Sequence, residues 1–182
     1  MPEVVFSEMP PLNSLTRVIR RVRQNVEAAP ALPTNLEELV IPEEYQTLVN
    51  GDKFLGYDSG PGLNRKLIFC TKKSLDYLTR GGVLLGDGTF SVVPNLFSQM
   101  YTLHGYEEGH SIPCIFALTA HRTADIYTEL LSFVKRERPA YAPRLIVSDY
   151  EQAALNSFSD AFPMARRHGC LLSELQITNK LC

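Results

Sequence analysis

The chain has 182 residues, a formal net charge of −2, 45% hydrophobic and 21% charged residues. That mix can bury a core and excludes wholesale disorder. The near-neutral balance excludes a chain built only to grip nucleic acid by its phosphates, so any DNA grip must come from a local patch. No apolar run approaches the roughly 20 residues of a membrane helix, and Met1–Pro11 lacks the pattern of a secretory signal, so the expected location is intracellular.

Asn13 or Ser14 can cap a helix running to about Ala28. Leu15, Val18, Ile19, Val22 and Val26 form its apolar stripe. Arg17, Arg20, Arg21 and Arg23 make the rest of the helix basic, and they are the candidate DNA-binding residues. A solvated basic face on an amphipathic helix is the plainer reading of the same arginines, and the sequence leaves both open. Pro30 and Pro33 end this helix. Asn35 can cap a short helical turn over Leu36–Leu39, and Pro42 can open another near Glu43–Leu48.

Lys53–Tyr57 and Lys66–Cys70 read as two strands of a hairpin around Asp58-Ser59-Gly60-Pro61-Gly62. Ser74–Arg80 reads as a short helix stopped by Gly81-Gly82. Val83-Leu84-Leu85 is a continuous apolar run, as in a strand buried on both faces, and it ends in Gly86-Asp87-Gly88-Thr89-Phe90. Phe97–Tyr106 and Ile112–Thr119 are two further strands, with Gly105 and Gly109 punctuating their connection. Ala124–Lys135 is a helix with Thr123 as its cap and Ile126, Leu130, Leu131 and Val134 on one side. Arg144–Ser148 is a short strand, Glu151–Phe158 a helix, and Met164–His168 a last strand. Three strands in succession followed by alternation imply an α/β fold, a mixed sheet with helices packed on it. The crossover helix is long enough for Arg144–Ser148 to return parallel to Val83–Leu85.

Asp87 and Asp149 stand where two buried strands end. Charges are rare there unless paired or bound to a cation. Carboxylates held together on neighbouring strands suit a hard cation such as magnesium, and two such ions about 4 Å apart can drive phosphodiester chemistry. An Asp-Gly after a strand is also an ordinary turn, and an Asp before a helix an ordinary cap. Glu151 reads as a first-turn acid favoured by the helix dipole, and His104 and His168 as ordinary histidines. Cys70, Cys114, Cys170 and Cys182 show no C-x-x-C spacing, so no zinc ribbon is encoded, and Cys70 and Cys114 read as reduced, buried thiols. No Gly-rich phosphate loop occurs, which argues against a nucleotide-binding domain.

The stretch Gly86-Asp87-Gly88-Thr89-Phe90, Pro94 and Phe97-Ser98-Gln99-Met100-Tyr101-Thr102-Leu103-His104 resembles the opening of the Mutator-like element (MULE) transposase domain. Ile112-Pro113 with Ala117-Leu118 continues the resemblance. Leu145-Ile146-Val147-Ser148-Asp149-Tyr150-Glu151-Gln152-Ala153-Ala154 resembles the family's second acidic block, and Phe162-Pro163, Ala165 and Gly169-Cys170 the approach to its cysteine–histidine motif. The resemblance implies a ribonuclease-H-like fold and DDE-type chemistry, in which three carboxylates hold magnesium (or manganese) ions and DNA phosphodiesters are attacked. Asp87 matches the first carboxylate and Asp149 the second.

The sequence departs from the family at Ser173, where a histidine is usual, and Glu174 is the only acid after Cys170. The expected organisation is an N-terminal extension over 1–80, a partial catalytic domain over 81–170, incomplete at its C-terminal end, and a divergent tail over 171–182. The expected function is that of a fragment of a cut-and-paste DNA transposase, inactive as it stands because the third carboxylate is missing. The alternative is a domesticated or decayed remnant that binds DNA or a protein without catalysis. DNA as partner, a homo-oligomer, no membrane and a nuclear location complete what the resemblance implies.

Overall fold

The structure, a computed structural model, describes residues 33–90, 93–121, 123–149 and 151–169. The basic helix expected over Asn13–Ala28, with Arg17, Arg20, Arg21 and Arg23, lies outside the described residues, as do Cys170, Ser173, Glu174 and Cys182.

Asn35 accepts the Glu38 N–H at 2.8 Å, but it closes a turn and no helix follows. Pro42 opens α1 (Glu43–Gln46), which stops sooner than expected because Thr47 turns extended and bridges to Lys53. Strands β1 (Leu55–Asp58) and β2 (Lys66–Phe69) form the expected antiparallel hairpin, with an irregularity between Leu55 and Tyr57. Helix α2 (Lys72–Leu78) begins two residues before the expected Ser74. Thr71 Oγ1 accepts the Ser74 N–H at 3.0 Å and Ser74 Oγ accepts the Thr71 N–H at 2.9 Å, so the capping box sets the start.

Strand β3 (Val83–Thr89) carries the first correction of substance. The sequence ended this strand at Leu85 and placed Asp87 just beyond it, whereas pairing with β4 (Gln99–Glu107) continues through Asp87↔Thr102 to Thr89↔Met100. Backbone pairing with Met100–Tyr106 of β4 overrides the local turn propensity of Gly-Asp-Gly. Strand β5 (His110–Thr119) follows after Glu108 (φ 51°) and Gly109 (φ 83°), a two-residue turn of the left-handed kind that hairpins favour. Gly105, read as part of that connection, lies inside β4. A Cβ there would stand 3.0 Å from Leu78 Cα and from Tyr77 Cδ1, so glycine lets α2 close on the strand.

Helix α3 (Ala124–Glu137) has Thr123 at its N-cap position, though the hydroxyl makes no capping bond. Then come β6 (Leu145–Ser148), α4 (Gln152–Ala161) and the exposed β7 (Arg166–Gly169). The seven strands form one sheet in the order β1-β2-β5-β4-β3-β6-β7. Strand β4 pairs antiparallel with both β3 and β5, and β6 runs parallel to β3, as the helical crossover implied. This mixed α/β architecture is that of a ribonuclease-H-like fold, to which the β1–β2 hairpin adds two strands beside β5.

Alternation along the strands separates two apolar clusters. Ile68 and Ala117 join Leu84, Leu103, Ile115 and Ile146 beneath α3 and α4, where Leu131, Val134 and Phe158 meet them. Their sequence neighbours Leu67 and Leu118 face the other way, into a smaller cluster with Leu36, Leu55 and Phe97.

Candidate active site

The parallel pairing of β3 with β6 places Leu85 opposite Val147 and Gly86 opposite Ser148. One step further, the register brings Asp87 level with Asp149 at the same end of the sheet. The two acids thus arrive at one sheet end from neighbouring strands, with the Asp149 Oδ2 on the Gly88 side of the sheet and Asp87 on the Thr102 side. They are held differently. Asp87 lies inside β3, on the face that carries its antiparallel partner Thr102 and, two residues on, His104. Asp149 follows the last residue of β6, so strand alternation does not bind it. Its Oδ2 stands 3.2 Å from where a Cβ on Gly88 would be.

Gly86 and Gly88 flank Asp87 and open the opposite face. A Cβ at Gly86 would meet Tyr101 Oη at 2.5 Å and Phe158 Cζ at 3.1 Å; one at Gly88 would meet Gln99 Nε2 at 2.9 Å. The two glycines therefore make room for polar tips from β4. Tyr101 and Gln99 are fully buried there, and the Tyr101 ring meets the Tyr127 ring edge-on at 4.9 Å. Tyr127, from α3, donates its hydroxyl to Glu151 Oε2 at 2.7 Å and accepts from Gln99 Nε2 at 3.0 Å.

The electrostatics of this strand end are one-sided. Burial raises the Asp149 carboxyl above the ordinary range. The charges of Glu151 and Asp87 push it the same way, while the Glu151 backbone N–H opposes them. Burial also drives the Tyr101 hydroxyl far up, with Asp149, Tyr127, Glu151 and Asp87 adding to it. His104 is lowered by burial, and Asp87 works against that shift. Two buried polar atoms here lack any hydrogen-bond partner among the described residues, Asp149 Oδ1 and Tyr101 Oη.

In kind, carboxylate oxygens suit a hard dication, and one buried oxygen of Asp149 has no hydrogen-bond donor among the described residues. In number the acids fall short of a complete centre. No group of three or more His, Cys, Asp or Glu side chains able to hold a metal exists among the described residues. No helix among them is long and apolar enough to cross a membrane. Sequence reasoning did not find Gln99, Tyr101 and Tyr127. The available signal was the period-two alternation of Gln99, Tyr101 and Leu103 opposite a strand with glycine at every second place.

No curated protein matches this sequence. The family model of the MULE transposase domain matches residues 83–173, half of the chain. The match begins at the first residue of β3 and takes in both aspartates, the two glycines and the Gln99–Tyr101–Tyr127 group. The chain therefore belongs to the MULE transposase domain family, and is a transposase-related protein.

Proposed function

We propose that Asp87 and Asp149 are the first two carboxylates of a DDE-type site for phosphodiester chemistry on DNA, and that this chain by itself does not cut. The observation that carries the reading is the parallel register of β3 and β6, which brings the two aspartates to one strand end within the matched segment. Those residues would hold magnesium or manganese. When bound, such an ion polarises a phosphodiester and activates the attacking oxygen. The chain's own part is to fix the acids on rigid strands, to keep Asp149 partly away from water, and to surround the strand end with the ordered hydroxyls of Tyr101 and Tyr127. Two carboxylates cannot fix two ions for in-line displacement, and the missing stabilisation is worth several kcal/mol. The companion reading, a module that binds DNA without cutting, is favoured by the exposed Arg166 and Arg167 on the edge strand β7. DNA is thus the partner in both readings, and the nucleus the location.

The test is a nicking assay on duplex DNA with magnesium or manganese. No nicking is expected from the 182-residue chain. Metal-dependent nicking abolished by Asp87→Ala or Asp149→Ala would overturn the inactivity while supporting the site. Metal-dependent nicking untouched by both substitutions would overturn the site itself.

A further inference from the structure

Phe90 directly follows β3 and is 44% exposed. A lone exposed apolar side chain is ordinary on a protein surface and asks for no ligand. Phe90 differs in where its ring goes. Its Cζ stands 3.5 Å from the point where a Cβ on Gly88 would be, so the ring folds back over its own strand. From the same point Asp149 Oδ2 is 3.2 Å away and Gln99 Nε2 2.9 Å. A ring, a carboxylate oxygen and an amide nitrogen thus meet over one glycine at the sheet end, and a side chain at position 88 would push them apart. Phe90 has a partner of its own as well, and its exposed part is what remains beside that contact.

The chemistry of this spot selects among the parts of a nucleic acid. A phosphate would meet the Asp149 carboxylate as a like charge. A nucleobase carries no charge and tolerates an acidic neighbour. An aromatic ring stacks on any base, because every base has a π face. It reaches a base only where the base is not already sandwiched in a duplex, hence one that is unpaired, terminal or turned out. DNA is the partner that membership of the transposase family implies. A phosphodiester brought to Asp149 carries its own base within one nucleotide of the Phe90 ring.

We propose that Phe90 is a base-stacking residue, which packs against a DNA base beside the phosphodiester at this strand end and so gives the chain a preference for DNA with an unpaired base there over closed duplex. The inference rests on the reading of the strand end as a site for DNA. It adds a substrate feature, local opening of the duplex, that the two aspartates do not specify.

The chain contains no tryptophan. Phe90→Trp therefore keeps an aromatic platform and places one indole reporter at the spot. The experiment uses the full chain in magnesium buffer with one mixed-sequence oligonucleotide, offered as a single strand and as a duplex. Affinity is read from the anisotropy of a dye on the oligonucleotide, and stacking from indole emission. The single strand is expected to bind more tightly than the duplex and to quench the indole, with little quenching by the duplex. Phe90→Leu keeps apolar bulk and removes the π face. It is expected to weaken single-strand binding about tenfold, leaving duplex binding near that of the parent. An equal loss on both forms would make Phe90 a structural residue and overturn the inference. So would an unquenched indole in a Phe90→Trp chain that binds the single strand as the parent does. A parent that binds both forms equally overturns the preference while leaving the DNA site standing. A parent that binds neither form sinks the underlying reading of the strand end, and the inference with it.

Discussion

Arg65 and Asp149 both bring charge into the interior, one just before the second strand from one edge of the sheet, the other just after the second strand from the opposite edge. Arg65 is 5% exposed and every visible need is met. Its Nε and Nη2 reach the two oxygens of Asp58 at 2.9 and 2.6 Å, and Nη1 donates to the carbonyls of Leu36 and Leu39. Asp58 accepts the Gly60 N–H as well, at 2.9 Å. At Asp149 the opposite holds: one oxygen has no donor, the neighbouring Tyr101 hydroxyl has no partner, and the nearby charges repel. A charge buried for structure is saturated with hydrogen bonds, whereas a charge buried for a ligand leaves valences open. Stability and function are thus written in different hydrogen-bond inventories on one sheet.

The strongest test of that contrast is Arg65→Met. It strands Asp58 and two carbonyls and is expected to cost about 3–5 kcal/mol, read from urea unfolding. A cost near zero would mean that the saturated cluster carries no stability. The same pair sets an acid limit. Burial pushes the Asp58 carboxyl up, but the Arg65 hydrogen bond, the Gly60 N–H and the Arg65 charge together hold it below its ordinary 3.8. A carboxyl lowered by folding contributes fully above 3.8 and loses that contribution as pH falls through its folded value. The parent should therefore lose stability below that point more steeply than Arg65→Met, in melting curves taken across the acid range.

At the open end, Gly86→Ala is expected to cost about 1–3 kcal/mol, because the new methyl meets Tyr101 Oη and Phe158. Adding Tyr101→Phe removes the hydroxyl and should return part of that loss. Strict additivity in this double-mutant cycle would mean that the glycine is not there to admit the tyrosine. The smallest effect carries the opposite sign. Asp149→Asn in chelator should raise stability by about 1 kcal/mol, since it removes a charge held among like charges. A lower melting temperature there would place Asp149 with Arg65 among the structural residues and dissolve the comparison.

Much of the open end was legible in the sequence because its acids follow runs of aliphatic residues. Val83–Leu85 and Leu145–Val147 announce buried strands, and a long helix between them implies a parallel return, so Asp87 and Asp149 could be sent to one sheet end in advance. What could not be read was the continuation of β3 through Gly86-Asp87-Gly88. Two glycines around an aspartate have turn propensity, and the pairing with Tyr101–Leu103 keeps them extended. Nor does any local pattern bring Gln99, Tyr127 and Glu151 together, since each lies on a different element and their hydrogen bonds are a product of packing. Arg65 was hidden for the same reason. It stands in a turn-rich stretch where arginine is ordinarily solvated, and its carbonyl partners at Leu36 and Leu39 are remote in sequence.

The turn at Glu108–Gly109 has a consequence for the order in which these parts come into being. It pins β4 to β5 through contacts between near neighbours, which cost little chain entropy and form early. The pairing of Gly86 with Ser148 instead waits for a long loop, with α3 inside it, to close. A nascent chain would therefore acquire its central hairpin well before its two aspartates meet, so that the capacity to gather negative charge arises last, on a sheet already able to hold it.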